Sequence, residues 1–186
     1  MSEVAKALEK NEIETQFFHI GNKPVRGCIA CGGCRGKGKC VFEDDVANEM
    51  LSLMQGADGI VIGSPVYYAG PNGALCALLD RVFFSSGAGQ LAFKPAAAVV
   101  SARRGGTTAA FDRLNKYFTI NRMPVVSSQY WNSVHGFTPE DVAQDEEGLQ
   151  IMRTLGYNMA WMLKNIEHGN QPMPEIEPQI STHFIR

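Results

Sequence analysis

The chain lacks a strong charge of either sign. Its 186 residues carry 17 Lys and Arg against 19 Asp and Glu, a formal net charge of −2. With no basic field, nucleic acid is excluded as an expected partner. Long hydrophobic runs are lacking too: the apolar stretches fall far short of the ~20 residues of a membrane span, and no signal-peptide pattern opens the chain. The expectation is a cytoplasmic protein without a membrane partner. No Ser-His-Asp set, HExxH helix or Walker loop occurs, so the residue sets behind triad, zincin and P-loop chemistry are absent. There is no internal repeat and no low-complexity tract. What remains is an ordinary globular composition, 45% hydrophobic and 19% charged. Residues 1–186 are expected to form one domain, long enough to bury about 70% of the surface of the unfolded chain.

The pattern is organised around residues 59–73, Gly-Ile-Val-Ile-Gly-Ser-Pro-Val-Tyr-Tyr-Ala-Gly-Pro-Asn-Gly. An apolar strand runs into Ser64-Pro65 and a Tyr pair, and a Gly/Pro/Asn turn leads to a helix with Leu75, Leu78, Leu79, Val82 and Phe83 on one stripe. A loop at the carboxyl end of a buried strand is where open α/β sheets bind ligands. This one suits a flat aromatic ring, because Tyr67 and Tyr68 offer faces and the glycines let backbone donors approach. The alternative is an ordinary β-to-α turn whose tyrosines are half-buried.

Elsewhere the spacing predicts helices over residues 2–10, from Asp44 and Asp45 to Gly56, after Thr108, and from Asp145 to His168. Strands are predicted over residues 13–20, 94–101 and 123–131. The small-residue strand 94–101 runs into a second loop, Ala102-Arg-Arg-Gly-Gly. Residues 170–186 read as an extended arm whose Ile176, Ile180, Phe184 and Ile185 should pack on something. Alternating helices and strands imply a parallel sheet covered on both faces, although the series opens on a helix.

Of five cysteines, four crowd into one loop as Cys28-x2-Cys31-x2-Cys34-x5-Cys40. In a reducing compartment such crowding points to metal or redox chemistry rather than to staples. Three readings stay open. The compact spacing and the glycines around it suit a [4Fe–4S] cluster, with Arg26, Arg35, Lys37 and Lys39 offsetting its charge. Tetrahedral zinc is a second reading, and a metal-free loop lining a ligand or a subunit contact is a third.

Five segments together resemble one family: the cysteine loop, its run to Asp45, the Ser-Pro-Val-Tyr-Tyr strand end, Asp80-Arg81, and Arg104-Gly-Gly. The resemblance is to the flavodoxin-like NADPH-dependent FMN reductases, including their iron–sulfur flavoprotein relatives. It implies an α/β flavodoxin-like doubly wound sheet of five parallel strands in three layers, with FMN at its carboxyl edge. It further implies NAD(P)H as electron donor and a homodimer or homotetramer in which a neighbour helps cover the flavin. Carried onto this sequence, Ser64, Pro65, Val66, Tyr67 and Tyr68 would line the ring, and Gly70, Pro71, Asn72 and Gly73 would continue that wall. Ser101, Ala102, Arg103, Arg104, Gly105 and Gly106 would supply donors to its pyrimidine edge. Cys28, Cys31, Cys34 and Cys40 would hold the cluster of the iron–sulfur members.

The implied activity is an oxidoreductase that passes reducing equivalents from nicotinamide through FMN to a flavin, a quinone or an iron–sulfur acceptor. A non-catalytic electron carrier is the rival. The family's opening strand and the Ser/Gly/Asn/Thr-rich phosphate loop after it find no counterpart ahead of the first helix. The sequence is therefore expected to be a fragment deficient in FMN binding, or a protein without that phosphate site.

Overall fold

The computed structural model describes residues 1–87, 89–178, 180 and 182. In chain order its elements are α1 (Ser2–Glu9), α2 (Ala47–Gly56), β1 (Ile60–Tyr67), β2 (Gly70–Pro71), α3 (Gly73–Ser85), β3 (Ala96–Ala102), α4 (Thr107–Ile120), β4 (Ser133–His135), α5 (Pro139–Val142) and α6 (Glu146–His168). The strand order is β2-β1-β3-β4. β1 and β3 run parallel from Ile60 opposite Ala96 to Pro65 opposite Ser101, and β3 pairs in parallel with β4. Only β2 is antiparallel, a two-residue return onto the end of β1.

The alternation of side chains along β3 builds the layers. Ala96, Ala98 and Val100 face one core with Leu78, Leu79 and Val82 of α3 and Leu114 and Phe118 of α4. Ala97 and Val99 face the other, with Val4 and Leu8 of α1 and Ile151, Leu155 and Met159 of α6. A strand buried on both faces reads as an unbroken apolar run, which is why 94–101 was recognisable. Small residues there let both helical layers approach. Among the described residues, no helix is long and apolar enough to cross a membrane.

Two expected strands are corrected. Residues 13–20 run without a ladder: Ile13 N–H returns to the Leu8 carbonyl at 3.1 Å, and Gly21 N–H goes to the His19 ring. Alternation supplies a face but not a partner, and among the described residues none lies alongside. The outer edge of β1 is likewise open. Ile60 N–H bonds the Pro95 carbonyl, so by the alternation of a parallel ladder Val61 and Gly63 turn their backbone groups away from β3. Among the described residues no strand meets them, and the sheet has three parallel strands and one short antiparallel strand rather than five parallel ones.

The strand expected over 123–131 touches β3 through a single bridge at Val125, and the ladder resumes only at Ser133. Between them Ser128 Oγ lies 2.7 Å from the Tyr130 carbonyl and 2.8 Å from Asn132 Oδ1. A serine that bonds nearby backbone offers the chain an alternative to the sheet. Of the arm, Ile180 is 92% exposed, so it does not pack on the rest of this chain, while Phe184 and Ile185 lie outside the described residues.

Close approach of α1 and α6 depends on Gly156. A Cβ there would lie 2.6 Å from Ala7 Cβ and 2.7 Å from the Val4 carbonyl oxygen. Gly156→Ala gains about 1 kcal/mol of helix propensity but overpacks by about 1–3 kcal/mol. The expected outcome is a net loss of stability of up to about 2 kcal/mol in urea denaturation; a more stable variant would show that the helices do not rely on this contact.

Candidate functional site

Two loops leave the carboxyl ends of β1 and β3, neighbours in the sheet, and meet on one rim. Their contact is Gly106, the N-cap of α4 at φ 90°. A Cβ on it would lie 2.7 Å from Ala69 Cα and 3.1 Å from Val66 Cγ1, so the loops touch where only glycine fits.

The first loop is stiff and strained. Tyr67 pairs with Gly70 across a two-residue turn, and both turn residues, Tyr68 and Ala69, are left-handed at φ 51° and 58°. Such a turn favours Asn and Gly, and other residues pay about 1–3 kcal/mol each. The tyrosines are not half-buried core, since Tyr67 is 56% and Tyr68 107% exposed. Ser64 is buried and serves as a brace: its Oγ accepts from Asn72 N–H at 2.9 Å and donates to the Pro65 carbonyl at 2.8 Å. Asn72 in turn caps α3, its Oδ1 accepting from Leu75 N–H at 3.0 Å. Ser64 and Asn72 thus shape the wall, while Pro65, Tyr67 and Tyr68 present it to solvent.

On the second loop Arg103, Arg104 and Gly105 are exposed, Ser101 is half-buried and Ala102 is buried. Arg103 lines an open groove with His135, Phe137 and Asp141 at the carboxyl end of β4. Asp141 is occupied by the N–H groups of Phe137 and Thr138, which hold the groove's floor. Tyr130, Trp131 and Phe137 stand exposed nearby, at 56%, 53% and 78%. Core packing within this chain does not account for them.

The cysteine loop forms a separate site. Cys28, Cys31, Cys34 and Cys40 all line one small cavity that opens to solvent, with Arg81 and Phe84 of α3 on its wall. Cys28 and Cys31 are exposed, Cys34 intermediate and Cys40 buried. Among the described residues no three His, Cys, Asp or Glu side chains converge tightly enough to hold a single metal ion. Zinc would require its thiolates all to lie about 2.3 Å from one point. An iron–sulfur cubane is less demanding, because each thiolate binds a different iron.

Sequence reasoning missed what holds this loop. The side chains of Asp45 and Arg81, 7% and 2% exposed, form an ion pair between the loop's end and α3. Arg81 Nη2 also donates to the Phe42 carbonyl at 3.0 Å, and Nη1 to the Arg26 carbonyl at 3.4 Å. Burial pulls the Arg81 pKa down, but Cys40 and Asp45 beside it outweigh this and raise it. Asn48 adds a second clamp, taking Cys40 N–H at 2.8 Å and donating to its carbonyl at 3.0 Å. The available signal was a charge set between the buried Leu78, Leu79 and Val82. Of the loop's own cations, Arg26 pairs with Asp44, holding that carboxyl below its usual range, and Lys39 pairs with Glu43. Arg35 and Lys37 remain in solvent. Cys76 stands apart on α3, its thiol pushed up by burial.

Comparison with known proteins agrees with this geometry. The family model of the NADPH-dependent FMN reductases matches residues 1–138. An iron-sulfur flavoprotein of Methanocaldococcus jannaschii is 36% identical over 172 residues, 89% of this chain and 89% of that protein. An iron-sulfur flavoprotein of Methanosarcina thermophila is 32% identical over 168 residues, 89% of this chain and 85% of that one. Among solved structures, a flavone reductase superposes with TM-score 0.67 at 17% identity, covering 92% of this chain and 59% of that one. A flavodoxin from the domain Archaea gives 0.56 at 15% identity, covering 88% and 87%. With its mostly parallel sheet between helical layers, the chain has a flavodoxin-like fold and belongs to the NADPH-dependent FMN reductase family, whose general character is that of FMN-binding oxidoreductases.

Proposed function

We propose that the protein is an FMN-dependent NAD(P)H oxidoreductase whose flavin ring lies on the rim formed by residues 64–73 and 101–106. The observation that carries this reading is the contact of the two loops at Gly106 and Ala69, with Tyr67 and Tyr68 turned to solvent beside it. Bound FMN supplies the hydride-accepting chemistry. The chain's part is to hold the ring flat and cover one face. Tyr68, fixed by its left-handed backbone, is the stacking partner, and Pro65 gives the wall an edge without a donor. Arg103, beside His135 in the open groove, is placed to pair with the ring's pyrimidine edge or a nicotinamide cofactor's phosphate. No side chain is assigned as acid or base, since hydride transfer to a flavin needs none. The exposed Tyr130, Trp131 and Phe137 fit a homodimer or homotetramer contact on the same side.

A second reading, a non-catalytic electron carrier, is favoured by the cavity that gathers four thiols. In it Cys28, Cys31, Cys34 and Cys40 hold a [4Fe–4S] cluster; the names of the relatives, iron-sulfur flavoproteins, support that ligand set.

Anaerobic mixing of the flavin-loaded protein with NADPH or NADH is expected to bleach the flavin absorbance within seconds; reduction only by a ferredoxin-like donor would favour the carrier. Tyr68→Ala should weaken flavin binding about tenfold, the ~1.4 kcal/mol of a lost stacking contact, with unchanged circular dichroism. Flavin affinity equal to wild type would remove Tyr68 from the site. Anaerobically purified protein is expected to contain about four iron and four acid-labile sulfide per chain. Values near zero would dismiss the cluster.

A further inference from the structure

The wall of the cysteine cavity carries a buried donor that the loop's spacing does not explain. Arg81 is 2% exposed and lines the cavity with all four cysteines. Its terminal nitrogens serve Asp45 and the Phe42 and Arg26 carbonyls, but among the described residues Nε has no hydrogen-bond partner. Leaving a buried donor unmade costs about 1–3 kcal/mol, and more when it belongs to a charge. Cys40, itself buried, lies against the same guanidinium. The loop's other cations do not do this work. Arg26 and Lys39 are drawn to Asp44 and Glu43, and Arg35 and Lys37 face water.

We propose that Arg81 positions the cysteine site and sets its reduction potential, its Nε–H donating to the sulfur of Cys40 or to a sulfide of the group that the four thiolates hold. The inference rests on the cluster reading above. One-electron reduction adds a negative charge and no proton, and Arg81 keeps its own proton throughout. An N–H···S bond strengthens as the sulfur becomes more negative, so it favours the reduced form and raises the potential. Asp45 offsets much of the guanidinium charge, which leaves this directional bond as the larger effect. Lysine at this position would keep the charge but not the planar fork that serves Asp45, two carbonyls and a sulfur together.

The test is an EPR-monitored redox titration, with dithionite as reductant, of full-length protein reconstituted anaerobically with iron and sulfide. In Arg81→Lys the ratio of reduced to oxidised cluster at a fixed potential is expected to fall at least tenfold, about 59 mV for one electron. An iron-loaded variant with an unchanged midpoint overturns the role of Arg81 and leaves the cluster reading standing. Wild-type protein that takes up no iron overturns both. Should the variant fail to fold, wild type labelled with 15N-arginine gives a second measurement. Pulsed EPR of the reduced protein is expected to show a 15N coupling that survives in labelled Arg35→Lys protein, and absence of the coupling overturns the inference.

Discussion

The ion pair of Arg81 and Asp45 ties the end of the cysteine loop to α3. Residues 27–41 contain no helix or strand, and their turns depend on left-handed glycines such as Gly32, Gly36 and Gly38. Such a segment has no ladder to fix it. Arg81 supplies the fixing from outside by gripping Asp45 and the carbonyls of Arg26 and Phe42, on both flanks of the cysteines. Buried pairs of this kind add little net stability against an apolar replacement, since desolvation consumes most of the attraction, but removing one partner costs about 3–5 kcal/mol. The arrangement makes sense as a device for placement.

Both candidate sites hang on one helix. At its start, Asn72 caps α3 and ties back to Ser64, shaping the wall where Tyr67 and Tyr68 stand. At Arg81 the same helix meets the cysteine cavity. Arg81 lies nine positions along the chain from Asn72, about 14 Å along the axis. Leu78, Leu79 and Val82, all 0% exposed, lock the segment between into the core. A shift of α3 would therefore move both sites together, and their spacing is a property of a rigid element rather than of loops.

What the sequence disclosed follows from which forces are local. The doubly buried β3 announces itself by an unbroken small-apolar run, and α6 by its stripe ending in a glycine. The rim loop is legible because Ser64-Pro65 and the tyrosines interrupt an apolar strand, and the cysteine spacing needs no structure to be seen. Partnership is what stays hidden. Residues 13–20 alternate as a strand does, yet pairing depends on a neighbour that alternation cannot name. Ser128 looks like any strand serine until its hydroxyl is seen to bond the backbone ahead of it. Asp45 and Arg81 are far apart in sequence, as are Arg103 and His135. They come together only because α3 packs by the loop and because β3 and β4 are neighbours.

The open edge of β1 has a consequence for how copies of the chain behave. Unpaired N–H and C=O groups on a strand are a template for any other extended segment, including the same strand of a second molecule. Here the template is short. Pro65 contributes no donor at one end, and the Met1 side chain sits about 3 Å from where a Cβ of Gly63 would be, over the face of the strand rather than its edge. Pro65, with no N–H to give, leaves one donor fewer in the row through which a second extended segment could pair.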